Sequence, residues 1–208
     1  MPLSLVSDPD HAISLLARGG VALLPVDTVP GLAARADHPV ALGALATLKG
    51  RPAGKPFALA FRDLAQLLEW LPAARSLRNL LERLLPGPLT AVLPGSPALG
   101  AHQADWVLSV GVRIPGPCPC SSLLERLPWP LALSSANRSG EAPLRPGANP
   151  PAGWAAGLAF RWPGESPLGR ESTVLDLRCH PPHVLRQGAL SAAELAARLE
   201  GMRQETGS

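Results

Sequence analysis

Residues 19–56 lay out a strand, a helix and a basic loop in one unit, and that order limits the folds open to this chain. Gly19 and Gly20 can end a preceding helix, the apolar run 21–24 follows, and Pro25 breaks it into the polar pair Asp27 and Thr28. Such a strand delivers a carboxylate and a hydroxyl to its own carboxyl end. A helical stretch over 39–48 comes next, and then Lys49, Arg51 and Lys55 stand among Gly50, Pro52, Gly54 and Pro56, cations on a stiff loop. Lys49 and Lys55 are the two lysines of a chain whose other seventeen basic residues are arginine. Lysine is a compact point charge where arginine is a planar fork, so the choice points to chemistry, with a solvated basic loop as the competing reading of this segment alone.

The rest of the chain alternates in the same way. Asp8-Pro9 reads as a helix cap and first turn, with Ile13, Leu15 and Leu16 as the buried stripe. A short strand is expected over 57–61, a helix from Asp63 through Trp70, and another over 73–85 on the spacing of Leu77, Leu80, Leu81 and Leu84. Strands over 89–93 and 106–114 follow, the latter carrying Ser109 and Arg113 at its end. Then come a short helix over 123–127 and a strand over 131–133 that stops at Ser134-Ser135-Ala136-Asn137. Residues 138–157, rich in proline, glycine and alanine, read as a long mobile loop. Strands over 173–177 and 183–186 precede a last helix opened by the capping box Ser191-x-x-Glu194. Interleaved strands and helices predict one α/β domain over 1–208 with a mixed, largely parallel sheet.

Composition narrows the function. Hydrophobic residues make up 46% and charged ones 17%, a globular balance, and the 25 prolines punctuate apolar runs without forming a P-x-x-P tract of any length. A formal charge of +3 and a pI near 9.1 suit anionic small substrates better than dedicated nucleic-acid binding. With no tyrosine, three phenylalanines and five tryptophans, platforms for base stacking are scarce. Cys118, Cys120 and Cys179 fit neither a disulfide framework nor zinc spacing and suit a reducing cytosol. The start of the chain lacks a signal-peptide pattern and no apolar run nears membrane-spanning length, so a cytoplasmic protein without a membrane partner is expected. Nucleotide-loop, dinucleotide-turn and zinc-helix motifs are absent, and the five histidines are scattered at surface or cap positions.

The polar clusters share a pattern: most follow an apolar strand. Asp27-Thr28, Ser109 with Arg113, Ser135 with Asn137, Glu171-Ser172-Thr173 and Arg186 border expected strands, with Lys49, Arg51 and Lys55 one element after the first. In α/β sheets ligands bind where strand ends open a crevice, so these groups can converge on one pocket. Cations, hydroxyls and amides without histidine or cysteine suit holding phosphates and a carboxylate rather than shuttling protons. Ordinary turn chemistry explains each cluster singly.

The ordered blocks PVDTVPGL, LKGRPAGKP, LPGPLTAVLP, VGVRIPG, LALSSANRSG, ESTVLDL and LRQGAL resemble the signature blocks of the YrdC family, the threonylcarbamoyl-adenylate synthases, over nearly the whole chain. The resemblance implies a twisted α/β sheet with a wide, basic concave face and nothing left over for the further domain that longer relatives carry. It also implies a reaction. L-threonine and bicarbonate give a carbamate that attacks the α-phosphorus of ATP and releases pyrophosphate, and the product passes to tRNA through separate transfer proteins. Position by position, Thr28 and Ser172 resemble hydroxyl contacts to threonine and Arg113 the fork for its carboxylate. Lys49, Arg51 and Lys55, with Ser135 and Asn137, resemble the ATP cradle, Lys49 and Arg51 being the catalytic pair; Arg186 closes on phosphate or ribose, and Ser109 and the backbone near Leu133 line the same side. Magnesium is expected to arrive with ATP, there being no dedicated metal site. The chain departs from the family pattern at Pro30, where tyrosine is common, at Ala60, where histidine is common, and at Pro143, where a serine is expected. The competing expectations are a nucleotide-binding paralogue without threonine-dependent synthesis and a module that binds RNA weakly and directly on its basic face.

Overall fold

The computed structural model describes residues 3–51 and 55–200. Pro52 and Gly54 of the basic loop lie outside the described residues. Helix α1 (Pro9–Ala17) starts where the Asp8 carboxylate accepts the N–H groups of Asp10 and His11, and the chain leaves it through Gly19 at φ 87°. Ala12 and Leu16 carry its fully buried line, while Ile13 and Leu15 are only partly covered. Strand β1 (Ala22–Pro25) then turns through residues 26–29 into β2 (Pro30–Arg35), pairing Pro25 with Pro30 and Leu24 with Gly31. Helix α2 (Pro39–Lys49) is capped by the His38 ring, which accepts from Ala41 N–H, and stops at Gly50 in the left-handed region.

The remaining elements are β3 (Ala58–Ala60), α3 (Leu64–Trp70) capped by Asp63, a 3-10 turn over Pro72–Leu77, α4 (Arg78–Leu84), β4 (Leu89–Pro94), α5 (Pro97–Gly100) and a second 3-10 turn over Ala104–Val107. After them come β5 (Ser109–Arg113), α6 (Ser121–Leu124), β6 (Leu131–Ser135), β7 (Phe160–Arg161), β8 (Thr173–Asp176), β9 (His183–Arg186) and α7 (Ala192–Glu200). Several lie where the sequence expects them with shifted bounds. The strand expected over 106–114 begins only at Ser109, because Trp106 folds onto a 3-10 turn and its ring N–H donates to Phe57 O. Ser109 and Arg113 therefore stand at opposite ends of one strand. Residues 138–157 are largely irregular, as expected, and are tied down by Ser139 N–H on Lys49 O, Leu144 N–H on Ala136 O, and the buried Trp154.

The strands form one sheet in the order β7-β1-β2-β6-β3-β5-β4-β8-β9. The α/β class and the mixed sheet are as expected. Three of the eight pairings are parallel and five antiparallel, so the parallel share is smaller than interleaving alone suggests. Direct returns such as the β1–β2 turn make antiparallel neighbours, which parallel strands cannot do without a long crossover. β2 was not legible in the sequence: PGLAAR lacks β-branched residues, and it is a strand because β1 and β6 pair with both its edges.

Side chains alternate along a strand, and the two faces of this sheet have different fates. Leu23, Leu32, Leu59, Leu89, Ala91, Val110, Val112 and Leu175 belong to one buried cluster with Leu45 of α2, Leu67 of α3, Leu81 of α4 and Leu195 of α7. Their neighbours Leu24, Ala33, Ala60, Leu131 and Leu133 join a second cluster with Ala12 and Leu16 of α1 and Leu123 of α6. That second layer stops at β3. Beyond it Thr90 and Val92 of β4, Ser109, Gly111 and Arg113 of β5, and Val174 of β8 line an open hollow. Among the described residues, no helix is long and apolar enough to cross a membrane.

Leu59 lies at the centre of the fully covered face with no exposed surface. Truncating it to alanine should lower unfolding free energy by about 2–5 kcal/mol in urea titration. The same change at Leu108, which is 82% exposed, should stay within about 0.5 kcal/mol.

Candidate active site

The hollow has a volume of about 590 Å³, and all eleven residues singled out from the sequence line it. Its first wall is the β1–β2 turn against the end of β5. Arg113, brought there as the last residue of β5, is buried; its Nη2 reaches Asp27 Oδ1 at 2.5 Å and its Nη1 donates to Thr28 Oγ1 at 3.2 Å. The other carboxylate oxygen of Asp27 accepts the Gly116 N–H at 3.0 Å, which fixes the acid behind the guanidinium. Burial pushes the Asp27 carboxyl up, opposed by the Arg113 charge and the Gly116 N–H. Arg113 Nε is buried with no hydrogen-bond partner among the described residues. A guanidinium fixed by Asp27 and Thr28 and lining the hollow suits the carboxylate of an incoming ligand.

The second wall is the end of α2 against the end of β6. Lys49 is 4% exposed, and its ammonium donates to Ser135 O at 2.7 Å, to Ser135 Oγ at 3.2 Å and to Asn137 Oδ1. Asn137 is itself oriented by donating Nδ2 to Glu141 O at 2.6 Å. Three acceptors, none of them charged, hold this lysine. Burial, reinforced by the nearby Arg51 charge and opposed by Glu171, draws its pKa down to about 8. Arg51 is occupied differently: it stacks 4.5 Å over the Phe57 ring, donates Nε to Lys55 O and Nη2 to Pro56 O, and reaches Ser134 Oγ at 3.4 Å. It closes the loop that displays the exposed Lys55.

The third wall comes from β4, β8 and β9. Thr90 Oγ1 and Ser172 Oγ lie 2.9 Å apart, and Arg186 clamps Ser172 through its backbone oxygen at 3.0 Å and its hydroxyl at 3.3 Å while pairing with Glu171 at 2.8 Å. Gly188 allows this approach, since a Cβ there would lie 2.3 Å from the Ser172 carbonyl carbon. Ser109 and Leu133 complete the lining.

Among the described residues the lining carries six cations, Lys49, Arg51, Lys55, Arg113, Arg178 and Arg186, against the single carboxylate of Glu171. Asp27 and Asp176 pair Arg113 and Arg178, and the net positive charge that remains attracts anions. No cluster of three or more His, Cys, Asp or Glu side chains among the described residues could hold a metal ion, and the donors here suit phosphate oxygens instead. The sequence marks Asp27 and Ser134 as polar without giving either a task and leaves Thr90, Gly111 and Arg178 unmarked; a polar or bare position inside an alternating strand was the available signal for Thr90 and Gly111. None of the three departures from the family pattern, Pro30, Ala60 and Pro143, lines the hollow, and Pro30 uses its carbonyl to accept Ala136 N–H at 2.7 Å. Ser139, from the loop that carries Pro143, does line it.

Comparison with known proteins agrees with this architecture. The family model Sua5_yciO_yrdC, described as "Telomere recombination", matches residues 14–188. The threonylcarbamoyl-AMP synthase of Bacillus subtilis is 32% identical over 198 residues, covering 92% of this chain and 57% of that protein. A putative threonylcarbamoyl-AMP synthase of Mycobacterium leprae is 31% identical over 202 residues, covering 91% of this chain and 90% of that one. The crystal structure of P. abyssi Sua5 complexed with L-threonine matches with a TM-score of 0.77 and 28% identity, over 96% of this chain and 61% of that one. The chain spans about half the length of several curated relatives it matches. In sequence, and in a sheet with one open, cation-lined hollow, the chain belongs to the Sua5/YciO/YrdC family.

Proposed function

We propose that this chain is a threonylcarbamoyl-AMP synthase, a nucleotidyltransferase that joins L-threonine, bicarbonate and ATP and releases pyrophosphate. The observation that carries the proposal is the convergence of a buried guanidinium and a lysine-arginine cluster on one hollow. The carbamate formed from the threonine amine and bicarbonate attacks the α-phosphorus; a P–O bond forms there as the bond to pyrophosphate breaks. Arg113 and Thr28 take the threonine carboxylate and fix the amine's direction, with Ser172, oriented by Thr90 and Arg186, as the hydroxyl contact. Lys49 and Arg51 offset charge on the phosphates, Ser135 and Asn137 aim the lysine, and Lys55, Ser109, Leu133 and Arg186 hold the nucleotide. Magnesium, brought by ATP, supplies further neutralisation of the phosphates. Positioning and charge do most of this work, consistent with a lining that, among the described residues, has no histidine or cysteine. The product then serves tRNA modification in the cytoplasm through separate transfer proteins.

Mixing the protein with ATP, bicarbonate and L-threonine should yield pyrophosphate only when threonine is present, and threonylcarbamoyl-AMP by mass spectrometry. ATP binding without that yield would mean a nucleotide-binding paralogue. Tight RNA binding with a steep salt dependence and no ATP affinity would mean an RNA module. Lys49 is charged below about pH 8 and loses its proton above it, so ATP affinity, measured by calorimetry, should fall as pH rises through about 8. Lys49→Ala should weaken ATP roughly ten- to hundred-fold at pH 7 and flatten that profile. Asp27→Asn leaves Arg113 buried without its counter-charge and should cost about 3–5 kcal/mol of stability in urea denaturation.

A further inference from the structure

Two thiols stand beside the hollow with no part in the proposed reaction. Cys118 and Cys120 flank Pro119 in the segment that follows β5, with their sulfurs 3.6 Å apart. A disulfide needs about 2.05 Å, so bonding them asks for a shift of only about 1.5 Å. Their surroundings differ. Cys118 is partly exposed, its backbone N–H donates to Ser121 Oγ at 3.0 Å, and its sulfur lies 3.6 Å from that same oxygen. Cys120 is wholly buried, with its sulfur 3.5 Å from Pro25 O. The hydrogen bond from Cys120, more than any other neighbour, draws the Cys118 thiol down to about 7 and pushes Cys120 up. One sulfur is placed to attack and the other to resolve.

We propose that Cys118 and Cys120 form an oxidisable dithiol, a modification site for small hydroperoxides, whose disulfide loosens the anchor of Asp27. In the first step the Cys118 thiolate attacks one peroxide oxygen: the S–O bond forms, the O–O bond breaks, and the departing alkoxide or hydroxide takes a proton. Sulfur is oxidised by two electrons to sulfenic acid and the peroxide is reduced to an alcohol or water. In the second step the Cys120 sulfur attacks that sulfenic sulfur. The S–S bond forms, the S–O bond breaks, and hydroxide leaves with the Cys120 proton as water. The chemistry of the pair stands independently of the synthase reaction.

The packing decides which side moves. Pro119 O accepts the Trp162 ring N–H at 3.0 Å and Cys120 is buried beneath Pro25, so the displacement falls on Cys118. Gly116, two residues before it, is the donor that fixes Asp27 and, through it, Arg113. Closing the disulfide pulls on that donor.

The test treats the full chain with hydrogen peroxide and follows intact mass, peptide maps and amide exchange. Exposed Cys179 serves as the internal comparison for simple accessibility. The expected product has lost two hydrogens, maps to an intramolecular Cys118–Cys120 bond, reverts with dithiothreitol, and forms at least about tenfold faster than any change at Cys179. In Cys120→Ser a sulfenic acid should persist at Cys118 and react with dimedone. The Gly116 amide should exchange about tenfold faster in the oxidised protein. Oxidation of Cys179 first, disulfide-linked dimers, or sulfinic acid at Cys118 of the unmodified sequence would overturn the dithiol. A disulfide that leaves Gly116 exchange unchanged would overturn its coupling to Asp27.

Discussion

A β-sheet has two faces to satisfy, and in this protein only one is roofed across the strands from β1 to β8. The helices α2, α3, α4 and α7 cover the first face, whereas α1 and α6 cover the second only as far as β3. Strands β5, β4 and β8 are therefore apolar at alternate positions and free of that demand at the others. Val110 and Val112 hold the core while Ser109, Gly111 and Arg113 turn to the open side. The hollow is what remains where the second layer of helices stops.

Charges placed at the edge of such a core lose hydration and need local partners. Arg113 and Lys49 meet this need in different ways. Arg113 has a true counter-ion, Asp27, reached across 86 residues of sequence, and the pair is close to neutral as a unit. Lys49 has only carbonyl, hydroxyl and amide oxygens around it. Its charge is oriented but not cancelled, so it remains a source of field in the hollow, and burial, with the Arg51 charge nearby, is why its proton is held less firmly than in an exposed lysine.

The helix starts at Asp8, at Asp63 and at the Ser191–Glu194 box were legible because they are written locally, each acting within a few residues. Strand β2 was not, because nothing in its composition distinguishes it and its two neighbours make it a strand. The same division holds in the hollow. Polar groups at strand ends announced themselves, and folding does bring them together. Roles that depend on long-range pairing, such as Asp27 behind Arg113 or Ser134 under Arg51, cannot be read from a segment alone. Thr90 shows the middle case, a visible polar residue in an apolar strand whose partner, Ser172, lies 82 positions away.

Among the described residues strand β9 pairs only with β8, across an irregularity at Val174/Leu175, and all four of its residues are exposed. Arg113, by contrast, stands on β5, braced by β3 and β4 on either side. The two arginines thus have unequal footing. In the proposed reaction the central one, braced on both sides, sets where the amino acid's carboxylate sits, whereas the peripheral one, on an edge strand, owes its place to side-chain bonds with Ser172 and Glu171.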